Sequence, residues 1–550
     1  MGKLIKDITI VGGGTAGWMT AAYLNYFLQF GIGRRDGVRI KLIEAPDVPT
    51  IGVGEATVPT LRQTLKLLEI DENEFVARTE ATFKVGIRFD NWNVDENGKP
   101  FNFLHPFGGG LQVHGRNPAA SLLAYGGGCG ALGPNPTLPE IIGHTTQLLE
   151  QRKGPRFIDG KPFAGPEHYA YHLDAGKFAA FLSEVSVARG VEHLRDKVIG
   201  VTRNQRGHIA SLQLERTGDH PVELVIDCTG FQSLLLGKEL EEPFISYSDY
   251  LLNDRAIPIQ IAHPAKPDFY PATISTARKA GWTWRIPLQG RIGTGYAFSS
   301  AFASEQNALD EYLEILADEE TITEPRVLPM RVGRMRRSWV GNCVAIGLSS
   351  GFLEPLESTA IQFIETSCRH LLQLFPTSDF EEAAIRKFNR LVTEQYEEVR
   401  DFVGLHFSLS NREDTEYWKA VRHDAKRSDQ LEENLAVWQH HLPDINDHGP
   451  ARVFSFWSVI SLLIGKRIYT QSHASGTDMM PPEAWDHFLQ EWSLLKKAAV
   501  SKLPDQGELL ASMCEAAEIG GTAKRPPKRR SFALGGDQLT MPTNVLLPNR

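Results

Sequence analysis

The chain has 550 residues, 42% hydrophobic and 23% charged, a globular composition that excludes a fibrous, coiled-coil or wholly disordered protein. Its 58 basic and 67 acidic side chains leave a net charge of −9, which argues against a dedicated nucleic-acid binder. Mean hydropathy is −0.25 and no apolar run reaches about 18 residues, so no membrane-spanning helix is expected. The length admits about two to four structural units, or one large enzyme. Five scattered cysteines (Cys129, Cys228, Cys343, Cys368 and Cys514) form no CxxC pair, and the 17 histidines form no HExxH pattern. Reduced, mostly buried thiols, a cytoplasmic location and no metal site are expected. The first residues run straight into a strand, which leaves no room for a signal peptide.

An apolar strand over 8–11 leads into Gly12-Gly13-Gly14-Thr15-Ala16-Gly17. A helical pattern follows through Trp18, Ala21, Ala22 and Leu24, then a loop at 31–37. A second strand over 38–43 ends at Glu44. Strand, Gly-rich turn, helix, strand and acid is the order that dinucleotide binding needs. Gly12 permits the tight turn, Gly14 lets backbone approach a pyrophosphate, and Gly17 allows close helix–strand packing. The helix N-terminus faces the phosphate charge, and Glu44 can accept from ribose hydroxyls. The plainer alternative is a Gly-rich turn without a ligand.

Over 82–89 the residues alternate: Phe83, Val85, Ile87 and Phe89 share one face, and Thr82, Lys84, Gly86 and Arg88 the other. Alternation alone puts Lys84 in solvent. Asp174 reads as the N-cap of a helix. A strand over 222–226 runs into Asp227-Cys228-Thr229-Gly230. In the segment 281–287, GWTWRIP, an extended chain puts Trp282 and Trp284 on one face, as a rigid wall or as two core tryptophans. Glu357 precedes Ser358-Thr359 and an apolar run from Ile361, which reads locally as a first-turn helix acid. From about 375 the chain reads as mostly helical, with charged runs at 379–396 and 415–438. The tail from Gly520, with its basic run 524–530, reads as poorly ordered and solvated. The divisions expected are 1–375, 376–519 and a tail at 520–550.

Several segments together resemble the flavin-dependent halogenases of the tryptophan-halogenase type. They are the Gly12 loop, GVGEATVP at 52–59, TFKVGIRFDNW at 82–92, YHLDA at 171–175, GWTWRIP at 281–287 and FLEPLESTAI at 352–361. The resemblance runs in order over about residues 5–420. It implies an α/β, FAD-binding Rossmann-like flavin-monooxygenase fold with a mostly helical C-terminal substrate region. FAD would contact Gly12, Gly13, Gly14, Thr15, Ala16, Gly17, Glu44, Val198, Leu348 and Ile361. The family reaction oxidises chloride or bromide to hypohalous acid with reduced FAD and O2. Lys84 would then hold the hypohalous acid or carry the halogen as a haloamine, which reverses the solvent reading. Glu357 would polarise the electrophile or take the proton from the arenium intermediate. Backbone N–H groups of Thr359 and Ala360 would bind halide; many relatives have Gly at the latter position. Trp282 and Trp284 would keep substrate away from the flavin.

The resemblance places His105, Pro106 and Phe107 along the substrate pocket. Free-tryptophan members of the family also carry paired tyrosines and an acid that grip the amino-acid backbone. The comparable segment here, 453–460, offers Phe456 and Trp457 with no acid close behind. Unpaired ammonium and carboxylate groups are costly in a pocket. Indole or an indole derivative is therefore expected in place of free tryptophan. A single dinucleotide fingerprint points to a separate NAD(P)H-dependent flavin reductase as partner. No nucleic-acid or membrane partner is expected, and a homodimer is admitted. The alternatives are a flavin monooxygenase hydroxylating an aromatic and a flavoprotein that only binds a partner or stores flavin.

Overall fold

The computed structural model describes residues 2–30, 37–47, 54–108, 116–126, 137–447, 449, 453–469, 479–525 and 527. Residues 31–36 of the expected loop, 52–53 of the GVGEATVP segment, and Cys129 lie outside the described residues. So does the tail at 526 and 528–550, with most of its basic run. Cys228, Cys343 and Cys368 are buried free thiols and Cys514 is half-buried.

The first apolar run forms the strand Asp7–Val11 in the interior of a six-stranded sheet. Strands Leu224–Asp227 and Arg39–Glu44 flank it in parallel register. Cys343–Ala345 and Glu192–Arg195 extend the sheet in the same sense. Parallel neighbours need a crossover, and the helix Thr15–Asn25 supplies it between the first two strands. From Gly17 to Asn25 every residue of that helix is buried, because it is wedged between the sheet and the helices Ala175–Ala188 and Ala360–Gln373.

A second sheet of seven strands runs in the order Leu328–Pro329, Arg255–Ile261, Ile292–Phe298, Gly281–Pro287, Thr273–Ala277, Gly86–Val94 and Pro100–Pro106. A small third sheet joins Gly54–Ala56, Ala170–Asp174 and Thr82–Lys84. The continuous alternation at 82–89 is thus divided between two sheets. Thr82–Lys84 pairs with Ala170–Asp174, and Gly86–Val94 pairs with Pro100–Pro106. Val85 is the joint: its N–H donates to Pro271 O (2.8 Å) and its carbonyl accepts from Phe107 N (3.0 Å). A Cβ at Gly86 would lie 2.6 Å from the His105 carbonyl oxygen, so only glycine fits this crossing. Both faces of the segment at Lys84 meet protein, which is why in–out alternation misplaces it.

The later chain is helical as expected, with helices Glu382–Ser408, Glu416–His423, Asp429–Trp438, Phe456–Gly465, Pro482–Val500 and Gln506–Ala516. One apolar cluster runs from Ile8 through Phe89 and Trp92 to Trp418 and Leu462, so these helices share a core with the sheets. The start of the tail is docked: the Gly520 and Thr522 N–H groups donate to Glu74, at 2.7 and 2.6 Å.

Asp174 caps the helix Ala175–Ala188. It accepts from Lys177 N (2.9 Å) and, through its other oxygen, from the Arg291 guanidinium (2.7 Å). Asp174→Ala is expected to lower stability by about 1–2 kcal/mol from the cap alone. Asp174→Asn, which keeps an acceptor for the cap but loses the ion pair, should fall between the two in urea unfolding.

Candidate functional site

The Gly-rich turn is built for a close ligand. Gly12 has φ +115°, and a Cβ there would collide with the Cys228 carbonyl. A Cβ on Gly17 would collide with the Gly12 carbonyl oxygen, so these two glycines bring helix and turn into contact. At Gly14 a Cβ would meet nothing within 4 Å, and no side chain caps the helix that starts at Thr15. Open space and uncommitted N–H groups at a helix N-terminus fit a pyrophosphate. Thr15 Oγ1 is turned away and donates to Ala175 O (3.3 Å).

Of the other expected flavin contacts, Glu44 lies against this turn, and Leu348, Val198 and Ile361 are located through their neighbours. Glu44 lies against Gly13, and its carboxylate meets His193 Nε2 at 2.7 Å. The Glu44 carbonyl accepts from Asp196 N (3.0 Å), two residues before the strand that begins at Val198. Leu348 sits in the turn Gly347–Ser349, where a Cβ on Gly347 would lie 2.6 Å from the Ala16 Cβ and 3.7 Å from Ile364. Ile361, one helical turn before Ile364, is buried in the main core. A dinucleotide such as FAD fits this arrangement.

The second half of the site is centred on Lys84, which is fully buried. Its Nζ donates to Ser358 Oγ (2.8 Å) and to Thr57 O (3.1 Å), and lies 5.0 Å from the centre of the Phe107 ring. Burial pulls the amine down to about 7, against a smaller upward pull from Glu357. Ser358 has φ +62°, a left-handed conformation uncommon outside glycine, and this bend accompanies the hydroxyl's contact with Lys84.

Glu357 is the adjoining buried acid. His105 Nδ1 lies 3.0 and 3.2 Å from its two oxygens, and His406 Nε2 lies 2.6 Å from Oε1. Burial would raise this carboxyl, but His105 and His406 override it and hold it below the ordinary carboxylate range. Burial drops His406 to about 4, so it serves as a neutral N–H donor. Its ring stacks on Phe89 with centroids 4.5 Å apart. Phe402 lies beside both imidazoles, at 5.7 Å from His105 and 5.6 Å from His406, and stacks on Phe454 at 3.7 Å.

Thr359 is buried and immediately precedes the helix Ala360–Gln373, whose start has no side-chain cap. Trp282 and Trp284 do share a face, with ring centroids 5.8 Å apart. Trp282 Nε1 donates to the buried Glu354, and the Trp284 ring occupies the space left bare by Gly295. Pro106 is buried and Phe107 half-buried beside Lys84. Phe456 and Trp457 open the helix Phe456–Gly465, and Trp457 packs with Ile460 and Trp485 in a separate apolar cluster.

His406, Phe402, Phe454 and the hydroxyl of Ser358 were not marked by the sequence. His406 sits in an apolar stripe of a 27-residue helix, where a histidine reads as a core residue. Its only signal is a polar ring at a buried position, and that gains meaning only beside Glu357.

A sequence model of the family described as "Tryptophan halogenase" matches residues 7–482. The chain is 38% identical over 455 residues to tryptophan 7-halogenase RebH of Lentzea aerocolonigenes, covering 80% of this chain and 83% of that protein. The crystal structure of a tryptophan halogenase from Shewanella frigidimarina matches it with a TM-score of 0.86 at 33% identity, covering 93% of this chain and 98% of that one. Tar14, a tryptophan C-6 flavin-dependent halogenase from taromycin biosynthesis, matches with a TM-score of 0.83 at 33% identity over 92% and 99% of the two chains.

The Lys84 amine provides a pH test. It sits at about 7 in the folded chain against an ordinary 10.5. Between these values the unfolded chain binds the proton and the folded chain does not, so this group makes stability rise with pH across that window. Lys84→Met cannot titrate there. The stability of the unmodified protein relative to Lys84→Met is expected to increase from pH ~7 to ~10 in urea unfolding. A difference that stays flat with pH contradicts the shifted amine.

Proposed function

The chain belongs to the tryptophan halogenase family of flavin-dependent halogenases, and from that membership we propose that it halogenates indole or an indole derivative, with chloride or bromide, by way of Lys84. The observation that carries this reading is the meeting of two buried groups, Lys84 driven towards its neutral amine and Glu357 held as the carboxylate, with Ser358 next to Glu357 in the chain and hydrogen-bonded to Lys84. Reduced FAD, when bound, would supply with O2 the oxidation of halide to hypohalous acid.

The chain's own groups account for the remainder. The uncapped helix start at Thr359 and Ala360 offers backbone N–H groups to halide, and the change from Gly to Ala leaves that donor in place. A protonated Lys84 donates to the oxygen of hypohalous acid. The neutral amine, available near pH 7, instead displaces hydroxide from the halogen; the amine proton joins it as water and a haloamine remains. As the halogen passes to the ring carbon and the N–halogen bond breaks, the nitrogen takes up a proton and returns as the amine; the ring proton released below makes good the one used. The ring carbon then loses its proton to Glu357, which is a sufficient base because an arenium C–H is strongly acidic. His105 and His406 keep that carboxylate ionised and aimed. Phe107, beside Lys84, provides a face on which an aromatic ring stacks. Trp282 and Trp284 form the wall towards the flavin.

The choice of indole over free tryptophan rests on Phe456 and Trp457, which replace a tyrosine pair and its acid. A single Gly-rich fingerprint supports a separate NAD(P)H-dependent reductase as the source of reduced flavin.

The test is turnover with FAD, a flavin reductase, NADH and O2, offering indole or tryptophan with chloride or bromide and reading products by mass spectrometry. A halogen isotope pattern on indole but not on tryptophan is expected. Halogenated tryptophan overturns the substrate choice, and a hydroxylated product overturns the reaction in favour of a monooxygenase. Lys84→Ala should lose about 100-fold or more of the halogenation rate, with FAD binding intact and hypohalous acid released instead. Retained halogenation removes Lys84 from the mechanism.

A further inference from the structure

Glu354 is a buried carboxylic acid to which the reaction above gives no task. One of its oxygens, Oε2, accepts two hydrogen bonds, from Trp282 Nε1 (2.8 Å) and from Asn253 Nδ2 (2.8 Å). Asn253 Oδ1 in turn accepts from Tyr417 Oη (2.9 Å), and Trp282, Asn253 and Tyr417 are all buried. The other carboxyl oxygen, Oε1, is buried with no hydrogen-bond partner among the described residues. Burial pushes this acid up to about 7, so the neutral form is populated around neutrality.

Its place in the chain gives these contacts their meaning. Glu354 immediately precedes the single turn Pro355–Glu357, which the Ser358 N–H closes on the Pro355 carbonyl at 3.1 Å. Pro355 fixes its own φ, so little backbone freedom separates residue 354 from Glu357 and Ser358. Trp282 lies on an interior strand of the seven-stranded sheet, between Thr273–Ala277 and Ile292–Phe298. Tyr417 belongs to the helix Glu416–His423. One oxygen atom therefore ties the sheet and the helical region to the turn that carries the reacting side chains.

We propose that Glu354 is a positioning residue that locks the Trp282 indole to the turn bearing Glu357 and Ser358, and so keeps wall and reaction centre in register. The assignment rests on the halogenase reading, since register matters only if oxidant must reach Lys84 before it is lost. Without the lock, hypohalous acid formed on the flavin side escapes to solvent instead of reaching substrate.

The test compares Glu354→Gln, Glu354→Leu, Trp282→Phe and the Leu/Phe double variant. Glutamine keeps an acceptor for both N–H groups and resembles the neutral acid. Two quantities are read: halogenated product formed per O2 consumed, and the exchange rate of the Trp282 indole N–H by 15N-edited NMR of the protein without flavin. Glu354→Gln is expected to stay within about twofold of the unmodified protein in both. Glu354→Leu should speed indole N–H exchange at least tenfold. Glu354→Leu and Trp282→Phe should each lower product per O2 at least fivefold, with free hypohalous acid, captured by an added β-diketone, rising to match and FAD affinity changed less than twofold. The double variant should be no worse than the worse single one, because both remove the same bond. Full coupling in Glu354→Leu or Trp282→Phe overturns the assignment, as does unchanged indole exchange in Glu354→Leu. If Glu354→Leu does not fold, Trp282→Phe against Glu354→Gln decides the matter in the same way. Absence of halogenated product from the unmodified protein counts against the halogenase reading instead, and the exchange rates still judge the lock.

Discussion

The arrangement depends on one constraint, an amine buried without a counter-ion. Lys84 Nζ meets a serine hydroxyl and a backbone carbonyl, and no ion pair joins it to Glu357 among the described residues. A lysine so placed is driven towards its neutral form, since an unpaired ammonium is costly to bury. Three stretches of chain must converge to satisfy it: Thr57 beyond the strand Gly54–Ala56, Lys84 itself, and Ser358 in its left-handed bend. The break at Val85, where the chain passes from one sheet to another, brings Lys84 to that point. A straight strand would have carried the same residue along the larger sheet.

Glu357 shows the opposite solution to burial. It is as deeply enclosed as Lys84, yet it stays ionised because two imidazoles donate to it. Those imidazoles come from the end of the strand Pro100–Pro106 and from the C-terminal part of the helix Glu382–Ser408. Stacking of His406 on Phe89 fixes the ring, so the direction of the donated hydrogen bond is set by aromatic packing. An amine made less basic and a carboxylate kept charged thus stand on either side of Ser358.

The fold was legible where local chemistry repeats a pattern. The Gly12 turn, the strand ending at Glu44, the Asp174 cap and the helical later chain all follow from spacing and residue type. Lys84 was not legible from alternation, because that rule assumes one face in water, and here both faces meet protein. The family resemblance supplied its buried role, and the sheet crossing supplies the physical reason. His406 was missed for a different reason. It lies 49 residues from Glu357 in sequence, and only tertiary packing makes its neighbour a carboxylate. Glu354 stood in a recognised segment but had no role until the Trp282 indole was found on it.

Cofactor and reaction ends must also keep a fixed separation if an oxidant is to travel between them. The helix Thr15–Asn25 starts at the proposed dinucleotide cradle, and the helix Ala360–Gln373 starts at the proposed halide donors. The two helices pack directly on one another. The near-contact of Gly347 with Ala16 leaves no room for a side chain between their ends. Gly347 thus packs tightly on Ala16 at the start of the first helix and approaches Ile364 in the second. On the proposed reading, variation around Phe107 and the segment at 453–460 would change which aromatic is accepted without altering the packing of these two helices. On that reading, substrate choice and oxidant delivery would rest on separable parts of one frame.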